Sequence, residues 1–127
     1  ALFKEGRFEE AAAAYKAILA ANPNLGAIHF NLGNCAYNLQ RYEEAIASFK
    51  EAVRLKPDFF DAYTNMANAY GKLKKTDEAI PLFEEAIRIH PENARLFSAL
   101  GLLYLNAGEG AKAVESLEKA SVLDPGQ

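Results

Sequence analysis

The chain has 127 residues, 50% hydrophobic and 24% charged, a globular balance that excludes a disordered or fibrous protein. Fourteen basic against seventeen acidic side chains give a net charge of −3, without the basic excess of a nucleic-acid binder. A single cysteine excludes an internal disulfide framework and a four-thiolate metal site, and the apolar runs are too short to span a membrane. The first residue is Ala1, not Met, and "ALFKEGRFEE" lacks the apolar stretch of a signal peptide. The sequence therefore reads as part of a longer chain whose compartment it does not report, the cytoplasm being only the default.

An internal repeat organises everything else. Pro23, Pro57, Pro91 and Pro125 follow one another at 34-residue intervals. In the same register stand Ala11, Ala45, Ala79 and Ala113; Tyr15, Phe49, Phe83 and Leu117; and Ile18, Ala52, Ala86 and Ala120. These columns define full windows at 26–59, 60–93 and 94–127 after a partial window at 1–25.

In chain order, the partial window predicts a helical stub, a turn at Gly6 and one complete helix. The second window opens with Ile28, Leu32, Cys35, Ala36 and Leu39 at helical spacing. A polar turn at Gln40–Arg41 leads to a second apolar stripe of Ala45, Ile46, Phe49, Ala52, Val53 and Leu55. Proline then stops the helix, and Asn24, Asp58 or Asn93 is placed to cap the one that follows. Two further windows repeat the scheme. Pro81 falls near a helix start, where a missing N–H matters least and at most a local bend is expected. Gly108 matches Gly6 as a turn residue. Glu84–Arg88 and Glu115–Lys119 are spaced for ion pairs worth a few tenths of a kcal/mol each, roughly. Gly33, Ala67 and Gly101 are expected to face Ala45, Ala79 and Ala113, where two helices cross too closely for larger residues.

Catalytic chemistry is not visible. No phosphate-binding G-x-x-x-x-G-K-[ST], nucleophile elbow, H-E-x-x-H or C-x-x-C occurs, so neither an enzyme, a cofactor nor a metal site is predicted. "GEGAKA" lacks the spacing of a phosphate loop and reads as the turn at Gly108. Cys35 falls on an inner helix face and reads as a small buried hydrophobe. His29 and His90 are 61 residues apart without a plausible third ligand.

The stretches "HFNLGNCAY…AIASF…P", "YTNMANAY…AIPLF…P" and "FSALGLLY…AVESL…P" resemble the signature of the tetratricopeptide repeat family. His29, Tyr63 and Phe97 replace its leading tryptophan, and Tyr37 sits one place late. The resemblance covers the whole chain. It implies an all-α, right-handed superhelical solenoid of antiparallel helix pairs, with the first helix of each pair lining a concave groove.

The same resemblance assigns groove positions. From the second window they are Ala27, Phe30, Asn31, Asn34, Tyr37 and Asn38; from the third Asp61, Thr64, Asn65, Asn68, Gly71 and Lys72. The fourth contributes Arg95, Ser98, Ala99, Leu102, Leu105 and Asn106, and the stub adds Phe3 and Lys4. Asparagine is a poor residue inside a helix, so its recurrence at Asn31 and Asn65, and at Asn34 and Asn68, needs a reason. A ladder of amides toward a bound peptide is favoured over bonds between neighbouring helices. Asn34, Asn65 and Arg95 match part of the family's carboxylate clamp, while Phe30 and Ala99 stand where two of its basic residues would be. The function implied is a scaffold holding a peptide segment or partner protein, without nucleic acid or membrane insertion. Two alternatives are an array that self-assembles weakly through its open ends, and a recruiting module of a larger enzyme such as a glycosyltransferase.

Overall fold

The computed structural model describes residues 2–124, with side chains from Gly6 onward. The side chains of Phe3 and Lys4, and Pro125 with the two residues after it, lie outside the described residues. Seven helices follow in order: α1 (Leu2–Ala21), α2 (Gly26–Asn38), α3 (Tyr42–Leu55), α4 (Phe60–Lys72), α5 (Thr76–Ile89), α6 (Ala94–Asn106) and α7 (Gly110–Leu123). The described residues form no strand. Each helix packs on the next in the chain, and the only other helix–helix contact among the described residues is a slight one between α2 and α4. That is a linear stack, an all-α solenoid, in which burial is shared between neighbours only.

The apolar stripes account for the packing. One buried cluster joins α2, α3 and α4 through Ala36, Ala45, Ile46, Phe49, Ala52, Ala62, Met66 and Ala69. The next joins α4, α5, α6 and α7 through Ala67, Ala79, Phe83, Ala86, Leu96, Leu100, Tyr104 and Ala113. Phe49 is completely buried, and so are Ala45, Ala52, Ala67, Ala79, Ala86 and Ala113. Gly33 and Gly101 face larger partners than the alanines expected. A β-carbon on Gly33 would sit 2.6–3.0 Å from the Phe49 ring, and one on Gly101 2.7 Å from Leu117 Cγ. In these two hairpins the glycine receives the bulky column.

The hairpin turns share one geometry. Gln40, Lys74 and Gly108, spaced by the repeat, adopt φ of 62°, 59° and 79°. The N–H after each bonds back into the preceding helix: Arg41 to Ala36 O, Lys75 to Tyr70 O and Glu109 to Tyr104 O, at 2.8–2.9 Å. Glycine holds this left-handed conformation without strain, whereas Gln40 and Lys74 hold it against a β-carbon clash. Gly6 occupies the same place in the partial window but makes no turn, because α1 runs unbroken through it.

Between repeats the chain reverses at the prolines. His29 Nε2 lies 2.9 Å from Pro23 O, which makes it the protonated ring nitrogen, and Tyr63 Oη donates to Pro57 O at 3.0 Å. Only α6 has the capping bond expected, with Asn93 Oδ1 accepting from Arg95 N at 3.1 Å. Asn24 and Asp58 stand one residue too early to cap, and the cap positions of α2 and α4 fall on Leu25 and Phe59. Helix α5 continues through Pro81 as its sixth residue, past the first turn, so the missing N–H is one the helix would have used. The anticipated ion pairs are displaced. Arg88 bonds Glu85 and Arg54 bonds Glu51, one turn away at i, i+3, while Glu84 accepts the Tyr104 hydroxyl at 3.2 Å. Lys119 Nζ lies 5.7 Å over the Phe97 ring.

Two pairs of substitutions probe this construction. Gly33→Ala should lower stability by about 1–3 kcal/mol, because the buried Phe49 ring has nowhere to retreat. Gly71→Ala, whose β-carbon would meet nothing within 4 Å, should raise it by up to about 1 kcal/mol. Lys74→Gly should stabilise by about 0.5–1 kcal/mol by relieving the left-handed backbone, and the same change at Lys72, inside α4, should destabilise. Chemical denaturation at constant slope measures all four.

Candidate functional site

The candidate residues lie on the first helices α2, α4 and α6, at matching places one repeat apart. The row from the ninth place of each window reads Asn34, Asn68, Leu102, and the row from the sixth reads Asn31, Asn65, Ala99. Several of these residues are committed to the fold. Phe30 is half-buried, with ring centres 5.8 Å from Phe49 and 4.7 Å from Phe59. Tyr37 packs edge-on against Tyr42 at 5.3 Å. Both are among the expected groove positions, and the rings of both pack on neighbouring helices or the segments beside them.

The asparagines divide. Asn65 Nδ2 donates to Asn34 Oδ1 at 2.8 Å, joining α4 to α2. Asn38 Nδ2 donates to the Asn34 carbonyl at 2.8 Å, and Thr64 Oγ1 to the Phe60 carbonyl at 3.1 Å. The bond between neighbouring helices, which the sequence reading ranked second, is present for one pair. The reason is spacing: the sixth place of one window and the ninth of the previous one meet across the helix junction. Asn31 and Asn68 make no side-chain hydrogen bond among the described residues, and Asn68 is exposed.

The rest of the row is open. Lys72, Arg95 and Asn106 are exposed, Ser98 is half-buried, and Leu102 and Leu105 expose 58% and 51% of their surface. The side chains of Lys72, Arg95 and Asp61 form no ion pair among the described residues, so this face carries two cations against one carboxylate. A chain of net charge −3 therefore presents a locally positive, partly apolar face.

Elsewhere, titratable groups behave as structural ones. Burial pushes the Cys35 thiol up from its ordinary value, which keeps it protonated and unreactive at neutral pH. Burial, followed by the charge of nearby Glu84, raises the Tyr104 phenol. Among the described residues no cluster of three His, Cys, Asp or Glu side chains could hold a metal ion. No helix there is long and apolar enough to cross a membrane.

Stacked helical hairpins with a polar row beside exposed leucines have the architecture of a scaffold for protein–protein interaction. The comparisons agree. Models described as tetratricopeptide repeat match residues 1–58, 60–93 and 96–127, and the chain belongs to that family. Its fold is similar to that of a crystal structure of MamA, at 32% identity and a TM-score of 0.91, covering 97% of this chain and 72% of that one. A double mutant of MamA RS-1 is 28% identical, with a TM-score of 0.89 over 98% of this chain and 70% of that one. MamA 41-end from Desulfovibrio magneticus RS-1 shares the fold at 21% identity and a TM-score of 0.87, over 99% and 71%. None of the curated proteins matches the sequence.

The divided asparagines give a direct expectation. Asn65→Ala should lower stability by about 0.5–1.5 kcal/mol, because it removes the bond to half-buried Asn34. Asn31→Ala should leave the melting temperature unchanged or raise it slightly, since alanine is the better helix former. Thermal melts of the two variants side by side measure the difference.

Proposed function

We propose that the four windows act as one domain that holds an extended peptide segment of a partner protein along α2, α4 and α6. What supports the reading is one juxtaposition. Amides at Asn31 and Asn68 and cations at Lys72 and Arg95 without internal partners share a face with exposed Leu102 and Leu105. Amides can donate to and accept from a peptide backbone, the cations suit acidic side chains, and the leucines offer an apolar anchor. The ligand of this reading is a mildly acidic segment with a bulky apolar residue, bound with an affinity of order micromolar.

A second reading has its own observation. Helix α7 exposes Val114 (55%), Leu117 (37%) and Val122 (78%), and α1 exposes Ile18 (43%). In a solenoid such faces are covered by a further hairpin or by a second copy. Sedimentation over a concentration series separates these, since only the second makes the mass depend on concentration.

The peptide reading is tested by fluorescence anisotropy with a labelled panel of acidic–apolar peptides and basic counterparts. Lys72→Ala, Arg95→Ala and Leu102→Ala should each weaken the best acidic peptide by about three- to tenfold. Equal binding of basic and acidic peptides, or indifference to all three substitutions, overturns it.

A further inference from the structure

Of the glycines on α2, α4 and α6, three face the helix that follows them. Gly26 lies against Leu55, Gly33 against Phe49 and Gly101 against Leu117, so a neighbour accounts for each. Gly71 is different. A β-carbon there would meet nothing within 4 Å, and its backbone is not left-handed, so neither packing nor conformation calls for glycine. Glycine weakens a helix relative to alanine, and this one stands within α4 without such a return. The same place is Tyr37 on α2 and Leu105 on α6, both large. What Gly71 provides is bare space on the open face between them.

The junction beside Gly71 is also the one without an internal bond. Between α2 and α4 the ninth and sixth places are joined, Asn65 donating to Asn34 at 2.8 Å. Between α4 and α6 the same places hold Asn68 and Ala99, which has no amide, and these helices approach less closely than α2 and α4. Asn68 is left exposed, without a side-chain bond of its own among the described residues. Asn68, Gly71 and Lys72 fall at i, i+3 and i+4, one face of α4, and Leu102, Leu105 and Asn106 repeat that spacing on α6. The matching residues of α2 are spent, Tyr37 on Tyr42 and Asn38 on the Asn34 carbonyl. The other side of the stack offers no such contrast. An open pocket of about 260 Å³ beside Ala12, Leu32, Ala36 and Leu39 has a counterpart of about 280 Å³ beside Glu84, Tyr104 and Ser116, so both belong to the stacking.

We propose that the partner segment is anchored between α4 and α6 by one leucine-sized apolar residue flanked by carboxylates, with Gly71 as the residue that admits it. The inference rests on the peptide reading above and adds where the segment is gripped and what the grip selects. The Asn68 amide takes the backbone of the anchoring residue, donating to its carbonyl and accepting from its N–H. The anchoring side chain lies over Gly71, where no β-carbon intrudes, and against Leu102 and Leu105, exposed by 58% and 51%. A flanking carboxylate meets the Lys72 ammonium, one turn along α4 from Asn68, which has no ion pair among the described residues. Lys72 carries a charge and the leucines an apolar wall, so a basic or wholly polar segment lacks one half of the match.

Titration of the isotope-labelled protein with the capped peptide acetyl-Glu-Leu-Glu-amide, followed by NMR, tests the site. Saturable shifts are expected at Asn68, Gly71, Lys72, Leu102 and Leu105, with a dissociation constant of order millimolar for so short a probe. Acetyl-Glu-Ala-Glu-amide and acetyl-Lys-Leu-Lys-amide should each bind at least threefold more weakly. Gly71→Leu should fill the space from within and weaken the peptide more than tenfold. Its melting temperature should not fall, since leucine is the better helix former at an exposed place. Asn68→Ala and Lys72→Ala should each weaken binding by about three- to tenfold. Lys50→Ala, the same loss of charge on α3, should change it less than twofold. Shifts centred on α2, or unchanged binding in Gly71→Leu, overturn this placement alone. So does failure of the short peptide to bind where a longer acidic–apolar peptide binds, whereas failure of both overturns the peptide reading with it.

Discussion

The close crossing of the two helices in a hairpin is the constraint on which the rest depends. At Gly33 the Phe49 ring occupies the space a β-carbon would need, and at Gly101 the Leu117 side chain does the same. At the first of these crossings Phe49 is buried completely, with Ala45 and Ala52 of the same helix equally inaccessible. The spacing of the stack follows, and with it the separation of the two faces of α2. One faces the row of amides, and the other floors the apolar pocket.

Because each helix contacts essentially its neighbours alone, a departure from the repeat acts locally. The Asn34–Asn65 bond joins α2 and α4, which share little other contact, and withdraws two amides from the open face. Phe30 likewise spends its ring on Phe49 and Phe59, where the next two repeats carry the small polar Thr64 and Ser98. The amide-rich and leucine-rich halves of the row therefore differ in kind. The first is partly closed on itself and the second is open.

A second local departure lies on the opposite side. Ala36 and Ala12 stand where the later repeats carry tyrosine and isoleucine, and an open pocket of about 260 Å³ lies beside them, with the Glu9–Arg41 pair bridging at its edge.

Much of this was legible in the residues alone. The 34-residue column of prolines and alanines determines the six helices after α1, with Gly26, Phe60 and Ala94 as first residues of α2, α4 and α6 one period apart. Turn positions followed in part: Gln40 and Gly108, read as turn residues, are left-handed, whereas Gly6, read the same way, is helical. Periodicity works here because burial along a helix depends on 3.6-residue spacing, a local property. What only the tertiary structure decided is whatever depends on two helices meeting. Gly6 stays helical although it holds the turn position of the later windows. Asn93 caps its helix while Asn24 and Asp58, one place earlier, do not. Asn65 reaches Asn34, 31 residues away, and the space beside Ala36 stays open, because side-chain partners across a junction are set by crossing geometry that one helix's sequence does not contain.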